Sequence, residues 1–333
     1  MATMDDIAKR LGISKGTVSK ALNGAEDVSE AMRKAVLETA VELRYSRIPR
    51  SGNPSRICVF IENMDYEKPD DFGWELVTGF RKTAEPDGYV VDLVPLDIAT
   101  QKQFHYDEYM LRHKYKGAFF LGITLFDPWI KDFATCCTPT VLFDNHAQYN
   151  PVVTQVSIDN DECMEMAIAK LKSLGHETIG YLSGDLGSYV FQQRYNAFFR
   201  ALKEHGLKDD RDLAGYLFYT NECLEKHFPR LMKLGCTAII CSHDLLAHAL
   251  MIRCREQGIR IPEDLSVIGI DDLPLCRYTT PPLSSMRQDR TNLGKGAYYA
   301  LSSQMDKVHI GALKLHPELI LRDSVGPAPK QSK

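Results

Sequence analysis

The chain is expected to fold as a small all-α head followed by a larger α/β body of two doubly wound parallel-sheet lobes. Three observations lead there. Residues 1–46 carry apolar side chains at helical spacing, interrupted at Gly12 and at Asn23-Gly24. From residue 57 the period changes, and short apolar runs ("ICVFIE", "YVVDLV", "GAFFLG", "TVLFD", then "VSID", "TIGYLSG", "AIICS", "SVIGID", "LSSMRQD") alternate with helical stretches, as strands covered on both faces do. That alternation continues for about 270 residues, too many for one small sheet.

The bulk properties agree. The 333 residues are 44% hydrophobic and 25% charged, the composition of an ordinary globular protein of two or three domains. No run of about 18 apolar residues offers a membrane span. The start "MATMDDIAKR" lacks the apolar segment of a signal peptide, which points to a cytoplasmic protein. The nine cysteines are irregularly spaced, with Cys136 and Cys137 adjacent and no Cys-x-x-Cys pair. They read as reduced core residues, and neither a metal nor a cofactor is expected. The net charge of −4 hides an asymmetry: residues 1–56 hold ten Lys/Arg against seven Asp/Glu, a balance of +3, which leaves −7 for the rest. A basic head permits a polyanionic partner.

In the head, Thr3 is placed to cap a first helix with Asp6 as its capping-box partner, and Ile7, Ala8 and Leu11 point inward. Gly12 ends that helix. Ser14 caps a second helix with Val18, Ala21 and Leu22 inward, and Ser29 caps a third with Met32, Val36, Ala40 and Leu43 inward. Two helices joined by a tight Gly turn make a helix-turn-helix, whose second helix enters a DNA major groove. Its outward residues suit that task. Lys15 and Lys20 can donate to guanine O6 and N7, and Gly16 leaves the backbone bare for close approach. Thr17, Ser19 and Asn23 offer short polar groups for phosphate oxygens. A three-helix protein-docking module with solvated lysines reads equally well from periodicity alone.

The stretch "DDIAKRLGISKGTVSKALNG" followed by "VSEAMRKAVLETAVELRY" resembles the DNA-binding head of the lactose-repressor/galactose-repressor family of bacterial transcription regulators. The resemblance implies a lambda-repressor-like helix-turn-helix over 1–46. It places Lys15, Gly16 and Lys20 against base edges, and Thr3, Thr17, Ser19, Asn23, Ser29 and Tyr45 against phosphates or as braces of the head. Tyr45 reads equally as a core aromatic. The family follows this Tyr with a hinge helix that pushes a Leu into the minor groove. Here "SRIPRSGNPSR" is shorter, carries Pro49, Gly52 and Pro54, and has no Leu at that place. Over 47–56 the hinge helix is therefore expected to be absent or rudimentary. Arg47, Arg50 and Arg56 are candidates for phosphate or minor-groove contact from an extended arm, with Ile48 as the only wedge; a solvated linker is the alternative.

The body, 57–328, resembles the same family, whose body is like the periplasmic sugar-binding proteins. "LKSLGHETIGYLSGD", "QQRYNAFFRAL", "AIICSHDLLAHAL" and "IPEDLSVIGIDDLPLCRYTTPPLSSMRQD" carry that likeness. It implies three crossings between lobes, the first at about 57–157 plus 288–316 and the second at about 158–287 plus 317–328, with 329–333 as a tail. An effector cleft is expected at the carboxyl ends of the strands. Asp144, Arg194, His243, Asp271 and Gln288 stand at such ends and match effector-contacting positions of the family. A carboxylate accepts from vicinal hydroxyls and a guanidinium donates to neighbouring oxygens, so the set suits a sugar-like effector. Phe72, Trp74 and Phe218 or Tyr219 are candidates to cover a sugar's apolar face, or core aromatics. Asp244 and Asp272 are alternatively helix caps. His243 replaces the family's common Asn, and Arg290 stands where some relatives place an aromatic; both suggest an effector with a carboxylate or phosphate.

No catalytic arrangement emerges. "SHD" at 242–244 consists of adjacent residues that do not converge as a triad, and "SGDLGS" at 183–188 lacks the P-loop Lys and the dinucleotide spacing. The expected protein is a homodimeric, cytoplasmic, nucleoid-associated regulator, probed by double-stranded, pseudo-palindromic operator DNA and by a small effector. The alternatives are an intracellular sugar-binding protein without specific DNA binding, and a regulator answering to a corepressor protein.

Overall fold

The computed structural model describes residues 2–45, 55–147 and 149–329. Most of the expected linker, including Arg47, Ile48 and Arg50, lies outside them. The described chain forms two compact units, Met1–Val156 with Gly294–Leu313, and Ser157–Leu293 with Lys314–Lys333.

The first unit begins with α1 (Met4–Leu11), α2 (Lys15–Asn23) and α3 (Glu30–Glu42). Thr3 accepts from the Asp6 main-chain N–H while Asp6 accepts from the Thr3 N–H, which completes the capping box. Ser14 and Ser29 accept from the amides of Thr17 and Met32. Gly12 and Gly24 take the left-handed conformation at φ +67° and +75°, so both turns are made where a side chain would be penalised. Ile7, Ala8, Val18, Ala21, Leu22, Val36, Leu37, Ala40 and Tyr45 form the head's core, joined by Leu111 from the body.

The rest of this unit is a six-stranded sheet in the order β11-β5-β4-β3-β1-β2. Its strands are β1 (Ser55–Ile61), β2 (Tyr89–Pro95), β3 (Tyr115–Leu121), β4 (Thr140–Phe143), β5 (Val153–Ile158) and β11 (Ala312–Leu315). Helices α4 (Phe72–Ala84), α5 (Ile98–Gln103), α6 (Tyr106–His113) and α7 (Trp129–Phe133) fill the connections. Phe60, Tyr106, Phe120, Trp129 and Phe133 pack into one fully buried cluster.

The second unit holds a six-stranded sheet in the order β12-β10-β9-β8-β6-β7. Its strands are β6 (Ile179–Ser183), β7 (Ala214–Tyr216), β8 (Ala238–Cys241), β9 (Ser266–Asp271), β10 (Ser284–Arg287) and β12 (Glu318–Ile320). Its helices are α8 (Asn160–Ser173), α9 (Tyr189–Glu204), α10 (Thr220–Lys233) and α11 (Asp244–Glu256), and α12 (Arg290–Met305) leads out of it. The pairings among β6, β7, β8, β9 and β10 are parallel. β12 runs antiparallel to β10, a departure from the all-parallel expectation at a short edge strand.

The chain passes between the units three times, inside β5, α12 and β11. Gln288 belongs to the second unit, not the first as the resemblance implied. The cause is β10, which pairs with β9 and β12 and so keeps the residues after it on the second sheet. Arg56 is also not part of an arm. It is the second residue of β1, ion-paired with Asp92 and stacked over Tyr115 at 5.1 Å. The nine cysteines are free, eight of them buried. Among the described residues no helix is long and apolar enough to cross a membrane, and no His/Cys/Asp/Glu group is arranged to hold a metal.

Candidate functional site

The head separates two faces of α2. Val18, Ala21 and Leu22 are buried, while Lys15, Gly16, Lys20 and Asn23 are exposed and Thr17 and Ser19 half-buried. Both lysines are held by carboxylates of the head. Lys15 pairs with Asp5 at 2.7 Å and Lys20 with Asp27. The Lys20 hydrogen bond pulls the Asp27 carboxyl below its usual range. Asn23 donates to Ser19 at 3.4 Å. Thr3 and Ser29 serve as caps and remain partly or fully exposed. Tyr45 is 3% exposed and packs within the head's core, which favours bracing over phosphate contact.

In the second sheet the strand order reverses between β6 and β8, which diverge from each other to β7 and β9. In open α/β sheets ligands gather outside the carboxyl ends of strands at such a point. The predicted residues Arg194, His243, Asp271 and Gln288 meet there. Arg194, on the second turn of α9, is 2% exposed. Its Nε donates to Asn160 Oδ1 at 3.0 Å and its Nη1 to the Ser242 carbonyl at 2.6 Å, and Nη1 lies 3.9 Å from Asp271 Oδ1. Gln288 Nε2 donates to the same Asp271 carboxylate at 2.6 Å. Gln288 Oε1 is buried and accepts no hydrogen bond among the described residues. A buried acceptor left so costs about 1–3 kcal/mol, which a ligand hydroxyl would recover.

Asp271 ends β9 with φ +120°, a conformation that costs a side-chain-bearing residue about 1–3 kcal/mol and collects at functional sites. Burial raises its carboxyl pKa, opposed by the charge of Arg194. His243 caps α11 by position but not by side chain. Its ring stacks on Phe191 at 5.6 Å, and its Nδ1 meets Ser242 Oγ at 2.9 Å. Burial first, and the Arg194 charge second, push its pKa down to about 4, so it is neutral. Arg290 donates to the Asp271 main-chain carbonyl at 2.8 Å. His243 thus supplies a neutral imidazole, and Arg290 steadies the Asp271 main chain.

Asp244 and Asp272 do not cap helices. Asp244 accepts from Leu273 N at 2.7 Å and Ser285 Oγ at 2.6 Å, tying α11 to β9 and β10. Burial and the neighbouring Asp271 raise its pKa. Asp272 is a buried ion-pair node between Arg287 and Arg322, at 2.8 and 2.6 Å. Phe218 and Tyr219 are 74% and 62% exposed and pack edge-on against each other.

Phe72 and Asp144 belong to the first unit. Asp144 follows β4 with φ +49°. Phe72 opens α4 and lies 6.1 Å from the ring of Phe143, the residue before Asp144, and Trp74 is half-buried on the same helix. After the end of β1 in the same sheet, Glu62 accepts from Gln101 and its pKa is raised to about 7 by burial and then by Asp127. The reading of the sequence missed Glu62, Asn160, Phe191 and Ser242.

Comparison with known proteins gives a consistent result. Residues 3–47 match the family model described as bacterial regulatory proteins, lacI family, and residues 168–325 match a periplasmic binding protein-like domain. The chain is 29% identical over 338 aligned positions to the HTH-type transcriptional repressor CytR of Escherichia coli (strain K12), covering 98% of this chain and 97% of that one. It is 30% identical over 338 positions to the HTH-type transcriptional repressor PurR of Vibrio vulnificus (strain CMCP6), covering 98% and 99%. In fold it resembles a transcriptional regulator CelR–cellobiose complex, with TM-score 0.69, 24% identity and coverage of 97% and 100%. It also resembles the lac repressor dimer bound to operator and the anti-inducer ONPF, with TM-score 0.65, 22% identity and coverage of 98% and 99%.

Proposed function

The chain belongs to the lacI family of bacterial regulatory proteins, a family of DNA-binding transcription regulators and not of enzymes, and from that premise we propose that it is a repressor whose operator affinity is set by a neutral, polyhydroxylated effector held at Arg194, Asp271 and Gln288. The observation that carries the effector class is the buried cradle itself. It presents one guanidinium, one carboxylate and the open acceptor Gln288 Oε1. Vicinal hydroxyls satisfy such a set as donors to the carboxylate and amide oxygens and as acceptors from the guanidinium. His243 is neutral and adds no positive charge, while Arg290 is engaged through Nη1 by the Asp271 main-chain carbonyl.

Lys15, Gly16 and Lys20 read base edges, and Thr3, Thr17, Ser19, Asn23 and Ser29 hold phosphates. The protein acts as a homodimer on a pseudo-palindrome with half-sites about one helical turn apart. The effector shifts the operator equilibrium only through differential affinity for two states. A thermal-shift screen of neutral sugars against their phosphates tests the reading. Stabilisation by a neutral sugar that also changes operator affinity is the expected result. Stabilisation by phosphates alone would reject the neutral class.

A further inference from the structure

The head does not close its own core: Leu111 of α6, 6% exposed, is buried in the same cluster as Leu37 of α3. Leu37 follows Val36 and so lies about 100° round α3 from the inward stripe. That extra apolar position gives α3 a second buried flank. Polar contacts border the seam. Arg112 Nη1 meets Glu30 Oε1 at 2.7 Å. Lys114 Nζ donates at 2.9 Å to the carbonyl of Asn23, the last residue of α2. Arg112 also lies 3.7 Å from Glu108 and stacks over Phe104 at 5.3 Å. With the head so held, Lys15, Gly16, Lys20, Asn23 and Ser29 stay exposed, so the contact leaves the reading face open.

We propose that Leu111, Arg112 and Lys114 are positioning residues for DNA reading: they dock the head on the body in its DNA-competent orientation. The proposal rests on the reading of α2 as the base-reading helix. A held head needs no reorientation on binding, whereas a loosened one presents the competent geometry only part of the time, and its apparent affinity falls by that fraction.

The test uses the full chain and the duplex that the wild type selects from random DNA. Binding to that duplex and to a scrambled one is measured for wild type, Arg112→Glu, Glu30→Arg and the double variant, after circular dichroism establishes that each is folded. Arg112→Glu sets three carboxylates together at residues 30, 108 and 112. It is expected to reduce the ratio of specific to non-specific affinity about tenfold, as a docked fraction of one-tenth would. Glu30→Arg is expected to lower the same ratio, despite the added positive charge that favours all DNA. The double variant has the wild-type net charge and is expected to restore the ratio. Unchanged ratios in both single variants, a double variant that regains nothing, or an Arg112→Glu variant that binds the selected duplex more tightly would each overturn the docking role while leaving the DNA reading intact. A wild type without preference among duplexes would remove the DNA reading itself, and the docking role with it.

Discussion

Asp271 holds its main chain at φ +120° while its carboxylate lies 3.9 Å from the Arg194 guanidinium. The strain and the ion pair belong to one device. Arg290 grips the Asp271 carbonyl and Gln288 its carboxylate, so the unusual backbone is fixed from three sides. Arg194→Ala leaves a buried carboxylate without its counter-charge, and breaking such a pair typically costs about 3–5 kcal/mol. Denaturant unfolding of Arg194→Ala and of Arg194→Ala/Asp271→Asn separates stability from response. The double variant is expected to recover much of the stability and none of the effector response. A double variant that answers the effector normally would remove Arg194 from the site.

Gly269 supports the same device from the strand interior. A Cβ at this position would stand 2.2 Å from Asp244 Oδ1, the atom that accepts from Ser285. Gly269→Ala is expected to destabilise the protein by about 1–3 kcal/mol, the usual range for overpacking a filled core, and to weaken effector binding two residues away. A melting curve superimposable on wild type would contradict the tightness of this contact.

The pH response follows from His243. Its folded pKa is pushed down from 6.5 to about 4, so the unfolded chain takes up a proton that the native state refuses. The stability this side chain contributes is complete above about pH 6.5 and is lost as pH falls toward about 4. Asp244 and Asp271, with carboxyl pKa values raised by burial, act in the opposite sense, so only a difference isolates the imidazole. His243→Asn is expected to lose less melting temperature than wild type between about pH 7 and pH 5. Equal losses would assign the proton uptake to other buried imidazoles such as His176, whose pKa burial also lowers.

On the head, Asp27 competes with DNA for Lys20. Asp27→Asn frees the ammonium and removes a negative charge from the reading face. Operator affinity is expected to rise a few-fold at low salt and less at high salt, as exposed pairs are weak and screened. No change at low salt would mean that Lys20 does not leave its carboxylate to bind DNA.

Much of this was legible in the residues because the signals are local. Thr3 with Asp6, Ser14, Ser29 and the two glycine turns each act within four positions, and all stand as read. The nine apolar runs became strands for the same reason. The three missed strands, β7, β11 and β12, are three or four residues long and exposed on at least part of their length, so no apolar run announces them. The site was read only in part. Arg194, His243, Asp271 and Gln288 converge, but Asn160 and Ser242 reach Arg194 from 34 and 48 residues away, and no spacing rule connects them. Asp244 and Asp272 misled because an acidic residue near a helix start usually caps it. Here a backbone amide, a hydroxyl and two guanidinium groups took both carboxylates instead. Leu37 was passed over because the head's core is completed by Leu111, which belongs to another domain of the sequence.

The most direct measurement is selection of duplexes from randomised DNA by wild-type protein and by Lys20→Ala. Wild type is expected to enrich a pseudo-palindrome, and Lys20→Ala to lose about 1–3 kcal/mol on that sequence while binding scrambled DNA nearly as before. Folded wild-type protein that enriches no sequence, or a Lys20→Ala variant that loses equally on every duplex, would contradict base reading by α2.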